Sequence, residues 1–538
     1  MLRGKLKKVC FRIFYSTLLF LSLSQCGGGS AESSPSTPIQ TTLGEMNVGS
    51  AEVIPFSSSG EATVSFQELT GKEQFILSYN SLSQSSGNFT ALLSGSLSSS
   101  SLNSSFLPSD QDEDGLPLES EDSHDPTATF HQYLREMEST LSAQIMNGEI
   151  PPFTQDADTG NANSSTPLGS TRTIKVLNNL NSTSSYTTIT ATLRKTTSHF
   201  WVWVDNNTSE LSNSDLDSLI DPFEKMMDVY LSSTGSIPDF DKNGKVNIVY
   251  NPILNQLGGS NGIVTGYFSA WDFSNGSSSN GGEYLYCHVP DPSGHYGIAI
   301  PKSFFMSNTG PLCAPHELQH LINYNMKVFV NNSISESPAF NEGASHRVED
   351  VFNSFKKTSN ENPSRVNLYL NTPSTSFASG TSLAQRGGAY LFFLYLYEQA
   401  ENGRFPYKGS ELLRRITGSP LKGFAAIESV IGESIDDIAR DFFAATYLSN
   451  TGLNSDSRYN FQAIDLRTLQ DDHRNTRLSG PQTSSLSGLP SSQSITSMST
   501  NYLNISGSLL LSQGNTLNLQ GSTGMNPSAT LIRIQDKN

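Results

Sequence analysis

The pentad His316-Glu317-Leu318-Gln319-His320 constrains its stretch of chain more than any other feature. Two histidines four residues apart share one face on an α-helix, where positions i and i+4 stack above each other. In that geometry both imidazoles reach a single metal ion. Glu317, next to the first histidine, then sits beside the ion without binding it, placed to take a proton from a water there. The competing reading is a surface helix with two solvated histidines. Leu318, Leu321 and Ile322 argue for a buried helix instead. Buried imidazoles and a carboxylate need partners, and one ion serves both histidines. Pro315, directly before His316, suits the first turn of a helix.

A catalytic zinc takes three protein ligands and keeps a position for water. The third ligand is sought in the segment Ser335 to Asp350. Glu342 stands 22 residues past His320 (342 − 320), room for one loop and the start of a second, antiparallel helix. Glu336, His346, Glu349 and Asp350 are rivals in the same segment. His346 lies one turn past Glu342 on the same face and suits a role orienting a ligand. Glu349 and Asp350 read as solvated. Tyr390 opens an apolar run to Tyr397 that reads as a core helix. It is a candidate oxyanion donor, with plain core packing as the simpler reading.

These residues resemble a known family. HExxH followed by an Asn-Glu-x-x-Ser segment is similar to the gluzincin zinc metallopeptidases, although His346 stands where the thermolysin branch carries an aspartate. The fuller pattern, His316 to Asn323 with Asn341-Glu342-Gly343-Ala344-Ser345-His346 and Glu349-Asp350, resembles the hyicolysin-like metallopeptidases, secreted bacterial enzymes. Asp239 to Ile248, Gly387 to Leu396 and Ile435 to Phe443 are weaker matches to the same family, and the likeness covers about residues 165 to 450. It implies a zincin-like α+β core and a zinc endopeptidase acting on protein or peptide substrates. His316, His320 and Glu342 would hold the zinc and Glu317 would be the general base.

The first residues set the expected address. Arg3, Lys5, Lys7, Lys8 and Arg12 precede a short apolar run, Ile13 to Leu23, which reads as a signal peptide over residues 1–25. Leu23-Ser24-Gln25-Cys26-Gly27 looks like a bacterial lipobox, so Cys26 is the candidate lipidation site and residues 26–40 a Ser/Pro-rich tether. The expected place is the bacterial cell envelope, lipid-anchored or secreted. Cys287 and Cys313, 26 residues apart (313 − 287), are left as one pair. A disulfide, two buried thiols, or a soft metal ligand from Cys313 stay open, and Pro315 between Cys313 and His316 tells against the last. A net charge of −17 argues against a nucleic-acid partner, because phosphate binding needs a basic surface.

The remaining chain divides by composition. Residues 41–107 read as a small β domain, as in the alternation Ala62-Thr63-Val64-Ser65-Phe66. Residues 108–164 hold an acidic linker and a helix at about 126–147 that is propeptide-like or ordinary packing. Asp110 to Glu121 has the spacing of a calcium loop but lacks a flanking helix pair. Asp239, Asp241 and Asn243 are a second calcium candidate, with an ion-free Asn/Gly turn as the alternative. A break or restart is expected at Pro222 in the helix from Asp215 to Leu231. The metallopeptidase domain spans 165–450, strands first and helices later, the order of an α+β fold. Residues 451–538 read as a Ser/Thr-rich β domain or tail, with strand-like runs at Leu509-Leu510-Leu511 and Thr530 to Ile534. A surface lipoprotein that uses the peptidase fold for binding or adhesion is the alternative function; a mere binder has no use for Glu317. The oligomeric state is not legible.

Overall fold

Every residue of the strand Phe200–Asp205 is buried, so it must run through a sheet covered on both faces. The structure, a computed structural model, describes residues 37–96, 126–152, 166–182, 185–259, 262–359, 361–472 and 474–535. In chain order the elements are β1 (Ile39–Leu43), β2 (Ala51–Ile54), β3 (Glu61–Phe66), β4 (Gln74–Ser81), β5 (Asn88–Ser94) and α1 (Pro126–Met146). Then come β6 (Thr171–Leu177), β7 (Tyr186–Thr196), β8 (Phe200–Asp205), α2 (Asn213–Lys225), α3 (Met227–Thr234), β9 (Val246–Tyr250), α4 (Ile253–Gly258), β10 (Gly266–Phe268) and β11 (Tyr284–Cys287). A helical stretch follows: α5 (Lys302–Phe304), α6 (Gly310–Tyr324), α7 (Pro338–Val348), α8 (Asn362–Asn371), α9 (Leu383–Glu401), α10 (Gly409–Thr417), α11 (Gly423–Ile431) and α12 (Ile435–Leu448). The last are β12 (Thr483–Ser485), β13 (Ser491–Thr496), β14 (Ser499–Ser506), α13 (Gly507–Ser512), β15 (Thr516–Gly521) and β16 (Pro527–Gln535). The class is α+β.

β8 sits inside a six-stranded sheet of order β10-β11-β9-β8-β7-β6. β8, β9 and β11 are parallel, while β10 closes one edge antiparallel to β11. Phe200, Val202 and Val204 on one face meet Leu216 and Phe223 of α2 and Leu318, Leu321 and Ile322 of α6. Trp201 and Trp203 on the other face share a core with Phe130 and Leu134 of α1. The break expected at Pro222 comes instead at Met226, where α2 gives way to α3. Leu216, Leu219, Ile220 and Phe223 are buried on both sides of the proline, and that packing outweighs the backbone bond Pro222 cannot make.

The helices α7 to α12 enclose a second core around Phe340, Phe377, Phe392 and Phe442. α7 lies close against α9 because residue 343 is glycine. A Cβ there would come within 2.9 Å of Ala389 Cβ and 3.0 Å of the Phe393 ring. That contact fixes the neighbouring residue, Glu342.

The segments near the two ends of the described chain form one sandwich. Its sheets have the orders β1-β3-β15-β5-β13 and β12-β14-β4-β16-β2, so strands from residues 39–94 and strands from 483–535 are interleaved in both. Val64, Phe66, Leu77 and Leu93 meet Ile505, Leu519 and Leu531 between the sheets. Leu509 to Leu511 is not a strand but part of α13, because the Ser506 side chain caps the turn by accepting from Leu509 N.

Candidate metal centre

The helix carrying the histidines starts earlier than the sequence suggests. α5, a π-helical turn (Phe305–Thr309), α6 and a second π-helical turn (Asn325–Val330) run on without a gap. Pro315 therefore lies inside α6, not at its start. All α6 residues other than Pro311 are buried, and Tyr230 Oη donates to the Pro315 carbonyl at 2.6 Å. Tertiary packing holds the helix through the missing bond. Cys287 at the end of β11 and Cys313 form a disulfide with a Cα separation of 6.1 Å, tying the sheet to α6 one turn before His316.

α6 and α7 bring His316, His320 and Glu342 together. Nε2 of His316 and Nε2 of His320 are 3.1 Å apart. Glu342 Oε2 is 3.5 Å from His316 Nε2, and Glu342 Oε1 is 3.5 Å from His320 Nε2. A tetrahedral ion with bonds of about 2.0–2.1 Å spaces its donors about 3.3–3.4 Å apart, so the two imidazole nitrogens and the Glu342 carboxylate suit one zinc. Both Glu342 oxygens are buried without a hydrogen-bond donor, which a cation remedies. The Nδ1 atoms are held from outside the cluster. His316 Nδ1 bonds to Glu349 Oε1 at 2.9 Å, and His320 Nδ1 bonds to Asn341 Oδ1 at 3.0 Å. With the proton on Nδ1, each Nε2 lone pair faces the shared point.

Glu349 and Asp350 are buried, not solvated. Glu349 lies seven residues past Glu342 on the same side of the helical run, and that spacing was its signal in the sequence. Asp350 pairs with Arg347 and accepts from Tyr390 Oη at 2.9 Å. Tyr390 is thus engaged by Asp350 and is not brought to the cluster as an oxyanion donor. Arg386, one turn earlier on α9, is the group that arrives, with Nε 3.4 Å from Glu342 Oε2. His346 lies within ligand reach of His316 and Glu342. Its nitrogens are taken, however: Nδ1 by Glu349 Oε1 at 2.7 Å, and Nε2 by the Arg386 guanidinium at 2.8 Å. A cation donating to Nε2 leaves no lone pair for a metal, so His346 orients Glu349 instead. Glu336, the remaining rival, accepts from Gly423 N and pairs with Lys327.

Charge in the cluster follows from burial and neighbours. Burial pushes Glu342 up, but the Arg386 guanidinium and the imidazoles of His131 and His320 outweigh it and hold the carboxyl well below the usual range. Burial keeps His320 well below its ordinary value, hence neutral and able to ligate. Burial also pulls His316 down, yet the carboxylates of Glu342 and Glu349 beside it lift it to about 9. Burial pushes Glu317 up to about 7, against the pull of His316 and Arg135. Its Oε2 is buried without a partner. β10 passes close by because residue 266 is glycine: a Cβ there would meet Cys313 Sγ at 2.6 Å and Glu317 Oε1 at 2.9 Å.

A cavity of about 20 Å³ beside the cluster is lined by His316, Glu317, Thr265, Thr309, Glu349 and Arg386. Thr265, Thr309 and Arg386 also line a groove of about 320 Å³ that has His131 in its wall. A larger cavity of about 730 Å³, bordered by Leu231 and Arg414, holds none of these groups.

The second acidic cluster is Asp239, Asp241 and Glu283 rather than Asp239, Asp241 and Asn243. The Asn243 amide is tied into its own turn, donating to Asp241 Oδ2 and accepting from Lys245 N. Glu283 is buried, with Oε1 accepting from Phe240 N and Oε2 lacking a partner. Cys26 and the acidic stretch Asp110 to Glu121 lie outside the described residues. Among the described residues no helix is long and apolar enough to cross a membrane.

The chain is 24% identical over 302 residues to the neutral metalloprotease ShpI of Staphylococcus hyicus, a match covering 54% of this chain and 64% of that protein. The match therefore spans less than two thirds of that relative's length. No family model matches the chain.

Proposed function

We propose that this protein is a zinc-dependent endopeptidase of the hyicolysin-like kind, with His316, His320 and Glu342 as ligands and Glu317 as general base. The observation that carries the reading is the spacing of two imidazoles and a carboxylate at tetrahedral ligand distances, with a buried, partner-free carboxylate oxygen on Glu317 next to them. The likeness to a neutral metalloprotease supports it. Zinc, when bound, lowers the pKa of a water and polarises the scissile carbonyl. Glu317 takes the proton of the attacking water and passes it to the leaving amine. Glu349 and Asn341 keep the imidazoles oriented. The purified chain is expected to carry about one zinc per molecule. A chelator should abolish cleavage of an unstructured protein, and added zinc should restore it. A zinc-free chain, or cleavage indifferent to chelation, would contradict the assignment.

The reading places the enzyme in the bacterial envelope, lipid-anchored through Cys26 after removal of residues 1–25. A structural divalent cation, of calcium type, belongs at Asp239, Asp241 and Glu283, because the buried Glu283 oxygen faces two more carboxylates with no donor of its own. Calcium is expected to raise the melting temperature of the parent chain by several degrees, and Glu283→Gln should remove that response. A melting curve insensitive to calcium would dismiss the site.

A further inference from the structure

Helix α1 presents an unusual face to the cluster. His131, Arg135, Glu138 and Ser142 follow at intervals of four, three and four, so they form one stripe along the helix. Each is at most 4% exposed. A buried polar stripe is costly unless something opposite requires it. Opposite stand the ligand set and the residues that orient it. His131 Nδ1 lies 3.5 Å from Glu342 Oε1, the same separation that each of the two α6 histidines keeps from that carboxylate. That nitrogen is buried and has no hydrogen-bond partner. Arg135 pairs with Glu138 at 2.9 Å and comes within 3.7 Å of Glu342 Oε1. Glu138 accepts from Asn341 Nδ2 at 3.1 Å, so α1 also grips the residue that orients His320.

The other side of the helix packs on the sheet beside β10. Phe130 packs edge-on against Tyr267 of β10, with ring centroids 5.9 Å apart, and Leu134 joins the same core. β10 is an edge strand, the kind of element that pairs with an extended peptide. The cavity beside His316 and Glu317 has room for about one water, and the groove that continues from it past Thr265, Thr309 and Arg386 has His131 of α1 in its wall.

We propose that α1 is a built-in inhibitor of the metal centre, and that His131 Nδ1 occupies the fourth coordination position, where the attacking water must sit. This rests on the zinc assignment above. Four protein ligands make a closed, structural type of site, whereas three leave the position that hydrolysis needs. The chain as described is thus held in check, and its basal rate comes from the small fraction of molecules in which α1 has left. The exchange is a simple ligand replacement: the His131 lone pair departs and a water oxygen takes its position, with no change of redox state.

The test uses the full chain and its variants His131→Ala and His131→Gln, the second keeping bulk and polarity should the first fail to fold. Zinc content of the parent is measured first, and a parent that takes up no zinc removes both this inference and the metal assignment. Zinc affinity is then measured by competition with a chromogenic chelator, and cleavage is followed on an unstructured protein. The latch predicts zinc affinity at least about tenfold weaker in either variant, because a direct ligand is lost. It also predicts cleavage about tenfold faster or more, because the competent state gains population. Reduced cleavage would overturn the latch and make His131 a group that serves the reaction. Unchanged zinc affinity would overturn ligation whatever the rate does.

Discussion

Glu317→Gln is expected to lower peptide-bond cleavage by about a thousandfold while leaving the zinc in place. The amide cannot accept the proton of the attacking water, yet it is nearly the same size as the carboxylate. Size matters here because Gly266 already brings β10 within 2.9 Å of Glu317 Oε1, counted from where a Cβ would stand. Glu317 contributes no atom to the triad formed by His316, His320 and Glu342, so zinc content should match the parent. The comparison is best made both in the parent chain and on a His131→Ala background, where basal cleavage is higher. Cleavage at the parental rate would show that Glu317 is not the base.

The second large effect belongs to His320→Ala. His320 is fully buried, and it is neutral because burial holds its pKa well below the ordinary value. Removing it leaves His316 and Glu342 as two donors from that triad and strips Asn341 and Ser345 of their shared partner. Zinc content should fall well below stoichiometric and hydrolysis should vanish. The loss of a buried hydrogen-bonded group is expected to cost about 1–3 kcal/mol of stability, too little to unfold a chain with extensive apolar cores. A circular-dichroism spectrum like that of the parent would separate loss of metal from loss of fold. Full zinc occupancy in the variant would remove His320 from the ligand set.

The parts of this molecule that could be read from sequence are those encoded by local periodicity. The i, i+4 histidines, the alternation of β3 and the doubly apolar β8 all announce their elements, because each depends on neighbours a few residues away. The α+β class followed from their order. What was hidden depends on pairs far apart in the chain. Glu349 looked like a solvated acid because nothing near it in sequence shows that His316, 33 residues earlier, needs a carboxylate on Nδ1. Glu283 joined Asp239 and Asp241 only through the pairing of β9 with β11. His131 stood on a helix that read equally well as a linker or a cover. Tyr390 and Pro315 misled for the opposite reason: a local rule suited each, and tertiary packing overrode it. Leu509 to Leu511 is the same lesson at a smaller scale, with one serine cap turning an apolar run into a helical turn.

The sandwich has a consequence for how the protein is made. Thr63 of β3 bonds through its hydroxyl to Asn518 of β15, a partner 455 residues downstream, and β4 lies between β14 and β16. During synthesis most of the early strands must wait, edges unsatisfied, until β13 to β16 have emerged. Non-local closure of this kind is slow compared with helix packing. The helical region can therefore assemble first, and the late-arriving strands then pair with the early ones. Ribosome stalling or proteolysis before β13 would leave the first five strands with no sheet partner beyond the β1–β3 pairing, exposing sheet edges open to aggregation. For this chain, quality control is in effect a check that the late strands have arrived.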